Sequence, residues 1–183
     1  MKACEQTHSQ STFQHGLSVK EYIFDLINHL RYGDQLKYSW ILPEWLIDNK
    51  ELILNSLPDD KTLKLYTVFH DCGKWKCLQI DSEGRRHFPN HAEVSYQIFT
   101  LVFDDPIAAK LIRHDMDIHL LKSDGVEQFC KNPYVLTLLL TGLAEIHSNA
   151  SMFGGINSTS FKIKHKSITQ RGKQIINQLK NKK

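Results

Sequence analysis

Apolar residues repeat at intervals of three and four between Leu17 and Leu30, and this spacing constrains the fold more than any other feature of the sequence. An α-helix has 3.6 residues per turn, so side chains with this spacing line one face and can be buried together. Ser18 and Glu21 have the spacing of a capping box and predict the helix start at Ser18, with an earlier turn that contains His15 and Gly16 as the alternative. Gly33 stands where the helix would end. The segment therefore predicts a helix packed against a core.

Proline, asparagine and glycine interrupt the same spacing and divide the rest of the chain into further helical segments. Pro43, Asn90 and Pro106 stand at positions where helices can begin. Residues 134–150 form the most apolar segment, which we expect to cross the core, whereas polar residues and a glycine predict a loop over 79–90. No segment has the alternating pattern of a strand. The sequence predicts an all-α fold, a single-domain helical bundle.

The composition excludes several classes of protein. Hydrophobic residues make up 41% of the 183 residues, which suffices for one core and exceeds what a disordered chain contains. No apolar run approaches the roughly 18 residues that span a bilayer, and the first residues are polar, unlike a secretion signal. The four cysteines match no zinc-binding spacing. We expect a cytoplasmic protein with reduced thiols and no membrane partner, of undetermined oligomeric state.

Charge is unevenly distributed along the chain. Eight of the 23 Lys and Arg residues lie in 162–183, which contains no acidic residue. We predict a flexible N-terminus over residues 1–12 and a helical domain over 13–183, with a basic C-terminal helix from about residue 160. Basic side chains attract phosphate groups, so the end of a nucleic acid is a candidate partner. A solvated terminal helix would account for the same charges.

A histidine and an aspartate stand side by side after an apolar helical segment, at His70 and Asp71. The imidazole nitrogen suits borderline divalent metals, and the carboxylate offers two oxygens that can bridge two ions. Further histidines stand near three other predicted helix ends, at His15, His91 and His114. Alone, each could be an ordinary residue at a helix start or on the surface. Together they favour a shared metal site. Five other histidines are typical of ordinary surface or boundary residues: His29, His87, His119, His147 and His165.

A carboxylate inside the most apolar segment is a second indication of a metal. Glu145 follows Ala144 within residues 134–150. A buried charge without a partner costs several kcal/mol, and binding to a cation would remove that cost. A position on the exposed side of the helix would avoid it as well.

Taken in order, these segments resemble the HD-domain superfamily of metal-dependent phosphohydrolases. The resemblance covers residues 13–150, and its signature is the adjacent His-Asp pair followed by Gly-Lys. The chain departs from the family pattern at Ala144-Glu145, where Ala-Asp is expected, and at His114-Asp115, where two-metal members often carry paired histidines. The matching segments are Gln14-His15-Gly16-Leu17-Ser18-Val19, Phe69-His70-Asp71-Cys72-Gly73-Lys74, Phe88-Pro89-Asn90-His91-Ala92-Glu93-Val94-Ser95 and Ile112-Arg113-His114-Asp115.

The resemblance implies an HD-type helical fold and a bound divalent metal. Candidate ions are Mn, Ni, Co, Fe, Zn and Mg; one ion is expected, and two would require Asp71 as a bridge. The implied ligands of the first ion are His15, His70, Asp71 and Glu145. Those of a second ion are His91 and His114, with Asp115 as the alternative to His114.

The resemblance also implies hydrolysis of a phosphate mono- or diester of a nucleotide or nucleotide-like substrate by metal-activated water. Lys74 suits the negative charge on the phosphoryl oxygens, and His91 or His114 would position the substrate or protonate the leaving oxygen if neither binds metal. A surface position would explain Lys74 equally well. The implied catalytic residues are Asp71, Lys74, His91 and His114, and the implied substrate contacts are Lys74, Arg85, Arg86 and Trp75.

Two alternatives come from other functional classes. Glu145 in place of the family's aspartate suits a degenerate domain of this fold that binds a nucleotide or a protein partner without turnover. The basic residues of 162–183 suit a helical domain that binds nucleic acid through its phosphates.

Overall fold

The computed structural model describes residues 1–2, 4–7 and 10–181, and most of these residues are α-helical. The predicted all-α class is therefore confirmed. The helices are α1 (Thr12–Tyr32), α2 (Glu44–Ile47), α3 (Lys50–Leu54), α4 (Asp60–Phe69), α5 (Lys74–Cys77), α6 (His91–Thr100), α7 (Pro106–Arg113), α8 (Asp117–Leu120), α9 (Val126–Phe129), α10 (Val135–Ala150) and α11 (Thr159–Lys180).

Two short antiparallel strand pairs accompany the helices. Strand β1 (Glu5–Thr7) pairs with β2 (Gln10–Ser11). Strand β3 (Gln79–Ile80) pairs with β4 (Arg86–His87) inside the segment that was predicted to be a loop. Strands of two or three residues are too short to show alternation, which is why the sequence pattern did not reveal them. Part of the predicted flexible N-terminus, residues 3, 8 and 9, lies outside the described residues, as do Lys182 and Lys183 of the basic end.

The chain forms two compact units. The first unit contains Met1–Lys20 and Pro58–Met116, and the second contains Glu21–Leu57 and Asp117–Lys183. Helix α1 contributes residues to both. Among the described residues, no helix is both long and apolar enough to cross a bilayer.

In the first unit, α4, α6 and α7 pack together. The N-caps of α4 and α7 are linked by one hydroxyl, because Thr62 Oγ1 lies 2.9 Å from Asp59 Oδ2 and 2.8 Å from Asp105 Oδ2. Each aspartate also accepts hydrogen bonds from backbone N–H groups in the first turn of its own helix. These caps fix where both helices begin.

Helix α1 begins earlier than the sequence pattern predicted. Ser11 and Gln14 form the capping box: Ser11 N–H donates to Gln14 Oε1 at 2.9 Å, and Gln14 N–H donates to Ser11 Oγ at 3.2 Å. The helix start predicted at Ser18 is therefore wrong, because an equivalent Ser-x-x-Gln box lies seven residues upstream. As a result His15 lies within the first turns of the helix rather than before it.

In the second unit, α10 is buried along nearly its whole length, which confirms the segment predicted to cross the core. Helix α11 packs against α10 and α2 through its apolar face. Gly172 allows this approach, because a Cβ atom there would lie 2.3 Å from Trp45 Cε2. Ile163 does not belong to this face, since it is 66% exposed.

The same unit contains a histidine that was predicted to lie at the surface or boundary and is instead buried. His147 is 1% exposed. Its Nδ1 lies 2.8 Å from the Leu143 carbonyl oxygen, and its Nε2 accepts a hydrogen bond from Ile41 N–H at 3.1 Å. One ring nitrogen thus donates while the other accepts, which fixes the imidazole as neutral. Burial lowers the pKa of His147 to about 4.

Candidate metal centre

A buried cluster surrounds the Asp71 carboxylate in the first unit. Its Oδ2 lies 3.3 Å from His70 Nε2, 3.7 Å from His15 Nε2 and 2.6 Å from Lys74 Nζ. Its Oδ1 lies 3.5 Å from His91 Nε2. Asp71 is only 1% exposed, and His15 is fully buried. The structure thus brings together five of the residues that the sequence singled out.

The ends of several helices supply these side chains. His15 lies near the start of α1, His70 is the C-cap of α4, and Asp71 follows in the turn that leads to α5. Lys74 is the first residue of α5 and His91 the first of α6. Segments distant in the sequence thus contribute to one polar cluster.

Two glycines allow the helices to approach closely enough for this arrangement. A Cβ atom on Gly16 would lie 2.2 Å from the Val68 carbonyl oxygen, and one on Gly73 would lie 2.5 Å from Ser95 N. Both distances are shorter than van der Waals contact, so a larger residue at either position would push the backbones apart. Each glycine is close in sequence to residues of the cluster, since Gly16 follows His15 and Gly73 precedes Lys74.

Backbone carbonyls orient two of the imidazoles. His70 Nδ1 lies 2.8 Å from the Thr67 carbonyl oxygen, and His91 Nδ1 lies 2.8 Å from the Phe88 carbonyl oxygen. A carbonyl oxygen only accepts, so Nδ1 carries the hydrogen and Nε2 faces Asp71. Metal-binding histidines commonly have this arrangement, with the distal nitrogen directed at the ion.

The chemistry of the donor atoms fits a divalent cation. When His70 and His91 are neutral, the Nε2 of each presents a lone pair to an oxygen of the Asp71 carboxylate. A proton or a metal ion between nitrogen and oxygen relieves the resulting repulsion. A ring nitrogen of His15 and one of His70 lie within 4.8 Å of each other, and Asp71 Oδ2 is near both. Nitrogen and oxygen donors at such separations suit Zn, Mn, Fe, Co or Ni.

Electrostatics keep the central carboxylate ionised. Burial by itself would raise the pKa of Asp71, but the interactions of its carboxylate with the Lys74 ammonium and with the His70 and His15 side chains outweigh it and hold that pKa well below its usual range. The Lys74 side chain is nearly buried, and its ammonium also lies 5.4 Å from the centre of the Phe88 ring. The carboxylate is therefore available as an anionic ligand at neutral pH.

Glu145 belongs to the second unit, where it is partly buried on α10. Its Oε2 lies 2.8 Å from His119 Nε2. His119 was predicted to be an ordinary surface or boundary residue, and this ion pair is the partner that the sequence pattern did not indicate. The role of Glu145 as a metal ligand stays a prediction.

His114 and Asp115 lie at the end of α7. Asp115 is buried, and its Oδ1 accepts a hydrogen bond of 2.6 Å from the Tyr66 hydroxyl. This contact gives the carboxylate a structural partner that does not require a metal. The proposed roles of both residues at a second ion stay predictions.

The predicted substrate contacts lie in more exposed positions. Arg85 pairs with Asp81 at 3.1 Å and with Glu83 at 2.7 Å, so acids of its own hairpin balance its charge. Arg86 lies on β4. Trp75 is 51% exposed on α5, and the Lys76 ammonium lies over its ring, 5.4 Å from the ring centre.

Sequence reasoning missed the residues that hold the cluster in place. Thr67 and Phe88 each precede their histidine by three residues, a spacing that places a carbonyl next to the imidazole in a turn. Ser95 was not singled out either; its Oγ accepts the Gly73 N–H at 2.8 Å and links α6 to the turn after Asp71.

Comparison with protein-family models, curated proteins and solved structures found no match to this chain.

Proposed function

We propose that this protein is a metal-dependent phosphohydrolase of the HD-domain type, which cleaves a phosphate mono- or diester of a nucleotide or nucleotide-like substrate. The observation that carries the proposal is the convergence of His15, His70 and His91 on the buried carboxylate of Asp71. An ordinary core would not gather three imidazoles and a carboxylate, because desolvation of each polar group costs free energy.

In this proposal His15, His70 and Asp71 of the first unit hold the first divalent ion. His91 faces the other oxygen of Asp71 and is the candidate ligand of a second ion. A divalent ion at this position would lower the pKa of a bound water and polarise a phosphoryl oxygen.

The remaining groups act on the substrate. Lys74 has a nearly buried ammonium beside the carboxylate, and a fixed positive charge in such a place stabilises the negative charge that develops on a phosphoryl group. If His91 binds no ion, it would donate a proton to the leaving oxygen. The proposal extends to Trp75 stacking on a base, whereas Arg85 has its charge balanced within the hairpin.

A second candidate is a binding module of the same fold without turnover. The pair between His119 and Glu145 favours it, because a glutamate already bonded to an imidazole does not need a metal for neutralisation. In this case the cluster around Asp71 would have a structural role or bind a ligand without hydrolysis.

Metal titration combined with an ester assay separates the two candidates. The protein is stripped with chelator and titrated with Mn²⁺, Ni²⁺, Co²⁺ and Mg²⁺ in a calorimeter. Hydrolysis of p-nitrophenyl phosphate and bis-p-nitrophenyl phosphate is then measured with each ion. A matched pair of variants, His70→Ala in the cluster and His87→Ala on the exposed strand β4, controls for the loss of a histidine.

The phosphohydrolase proposal expects binding of at least one equivalent of metal and ester hydrolysis that depends on it. His70→Ala should lose both, while His87→Ala retains both. Metal binding without hydrolysis of any phosphate ester would favour the binding module. Equal metal affinity in the native protein and in His70→Ala would refute a metal centre at Asp71.

A further inference from the structure

A basic trough runs along one side of α11 in the second unit. It has a volume of about 710 Å³ and lies between α11 and the segment that follows α8. Three cationic side chains line it, Lys122, Arg171 and Lys173. None of the described residues that line the trough is acidic. Such a surface has a positive potential, although Lys173 also lines a neighbouring groove that contains acids.

The other lining groups are hydrogen-bonding side chains without charge. Gln170, Gln174 and Asn177 supply amides, and Ser123 and Ser167 supply hydroxyls. Gln174 Nε2 lies 3.3 Å from Ser123 Oγ, which connects the two walls of the trough. Cations, amides and hydroxyls are the groups that proteins use for phosphate and sugar oxygens.

One of the three cations is held in place by the backbone. Arg171 Nε donates a hydrogen bond of 2.9 Å to the Leu121 carbonyl oxygen. This bond uses one of the five N–H donors of the guanidinium and fixes its position in the wall. A guanidinium oriented in this way suits a phosphate better than a freely moving ammonium does.

A second groove on the same helix provides an internal comparison. It has a volume of about 420 Å³ and contains Lys173 and Lys180 together with the acids Glu44 and Asp48. Its charges balance, and Trp45 and other apolar side chains contribute to its lining. The absence of acids is therefore a property of the trough and not of every groove along α11.

We infer that the trough in the second unit binds the sugar–phosphate backbone of a nucleic acid, without preference for sequence. The inference does not depend on the proposed hydrolytic activity. No aromatic side chain is among the described residues of the lining, so the trough offers contacts to phosphates and sugars rather than stacking of bases. The basic residues of α11 also continue beyond the trough, as a chain of several phosphates would require.

Two other anionic partners fit the observations less well. A free nucleotide would need recognition of its base, which the lining residues lack. An anionic membrane would favour apolar side chains that insert beside the basic ones, whereas the trough is concave and polar apart from Leu121.

The test measures binding of a fluorescein-labelled 20-nucleotide oligothymidylate by fluorescence anisotropy. Chelator is present throughout, so that metal-dependent hydrolysis does not contribute to the result. The trough variant is Lys122→Gln/Lys173→Gln. The control variant, Lys162→Gln/Lys166→Gln, removes the same charge from exposed positions of α11 outside the trough lining. Circular dichroism and thermal unfolding verify that both variants are folded.

The native protein and the control should bind the oligonucleotide with affinities within about threefold of each other. The trough variant should bind at least about tenfold more weakly at 50 mM salt. In a plot of log affinity against log salt concentration, its slope should be less negative than that of the native protein by about 1 to 2. An Arg171→Gln variant should weaken binding similarly if it remains folded.

Several results would overturn the inference. One is an equal loss of affinity for the oligonucleotide in the two double variants, which would indicate a general attraction to positive charge. Another is displacement of the oligonucleotide by a nucleoside triphosphate at equal phosphate concentration, which would indicate a free-nucleotide site. A third is loss of binding to vesicles containing phosphatidylserine in the trough variant while oligonucleotide binding is unchanged, which would indicate a membrane surface.

Discussion

The two units each contain a buried histidine, and at first sight the two histidines look alike. His70 is 2% exposed and His147 is 1% exposed. Each has its Nδ1 at 2.8 Å from a carbonyl oxygen one helical turn earlier, that of Thr67 or Leu143. Burial and the orientation of Nδ1 therefore do not distinguish a ligand from a structural histidine.

The difference lies at the second ring nitrogen. His70 Nε2 lies 3.3 Å from the Asp71 carboxylate, so the nitrogen and the carboxylate can bind the same cation. His147 Nε2 accepts a hydrogen bond from Ile41 N–H, so its lone pair is already used. The partner of Nε2 is thus what assigns one histidine to a candidate site and the other to the core.

The largest effect is expected from Asp71→Asn. This change keeps the shape of the side chain but removes the negative charge that His15, His70, His91 and Lys74 face. We expect metal affinity and ester hydrolysis to fall by roughly a thousandfold or more, beyond the 10- to 100-fold cost of losing an outer-shell partner. Calorimetric titration with Mn²⁺ measures the first quantity. Asp81→Asn in the exposed hairpin is the control, and an equal loss in that variant would contradict a special role for Asp71.

The comparison itself is tested by exchanging each histidine for glutamine. His70→Gln should lower metal affinity by more than about 100-fold, because it removes a direct ligand rather than an outer-shell partner, and should lower the unfolding free energy of the metal-free protein less than His147→Gln does. His147→Gln should leave metal affinity unchanged and lower the unfolding free energy by about 2 kcal/mol, because it disturbs two buried hydrogen bonds. Urea denaturation and metal titration of both variants measure the four quantities. Equal changes in metal affinity and in unfolding free energy in the two variants would contradict the distinction between a ligand and a structural histidine.

The pH dependence of stability provides a third test. The pKa of His147 is about 4 in the folded protein against an ordinary value of 6.5, so the unfolded chain binds the proton more readily. The contribution of His147 to the free energy of unfolding is therefore fully present above pH 6.5. It should decrease as the pH falls toward 4, by about 3 kcal/mol in total. Asp71 affects stability in a different pH range. Because its pKa is lowered in the folded protein, its contribution to the free energy of unfolding is lost only below pH 3.8, the ordinary pKa of an aspartate. Urea unfolding between pH 4 and 7 should show this slope, and His147→Gln should remove it.

A smaller effect is expected from Gly16→Ala. The added Cβ would lie 2.2 Å from the Val68 carbonyl oxygen, which is backbone and cannot move alone. We expect a loss of about 2 kcal/mol in unfolding free energy, typical of an overpacked core, together with weaker metal binding as His15 shifts. In the control Gly125→Ala, the nearest atom is Leu121 Cδ1 at 3.3 Å, and this flexible side chain can yield. Equal stability of Gly16→Ala and the native protein would contradict the close approach.

The smallest effect is expected from Arg85→Gln. Asp81 and Glu83 balance its charge in the hairpin, so its removal should change the catalytic efficiency by less than about threefold. Steady-state kinetics with the best phosphate ester from the metal screen measure the change. A loss of tenfold or more would restore Arg85 as a substrate contact and would mean that the hairpin reorganises on binding.

Much of the helical layout could be predicted from spacing alone. The apolar segment 134–150 became α10 because a helix hydrophobic along most of its surface is stable only inside a core. Asp59 and Pro106 mark the starts of α4 and α7, as cap and first-turn residues do. The start of α1 was missed because Ser11-x-x-Gln14 and Ser18-x-x-Glu21 match the same capping pattern, and only the tertiary structure chooses between them.

The sequence indicated several of the residues that the structure gathers around Asp71, but not their geometry. The order of His15, His70, Asp71 and His91 along the chain suggested a shared cation, and the structure brings these residues together. The burial of His147 was not predictable, because its partner at Ile41 lies 106 residues away. Hydrogen bonds between distant segments leave no local signal in the sequence.

The most direct test of the metal centre is X-ray absorption spectroscopy of the protein loaded with one equivalent of Zn²⁺. The account predicts at least two imidazole nitrogens in the ligand shell at about 2.0–2.1 Å, and one fewer in His70→Gln. A shell of oxygen atoms alone, or an imidazole count that His70→Gln leaves unchanged, would contradict a metal centre built on His15, His70 and Asp71.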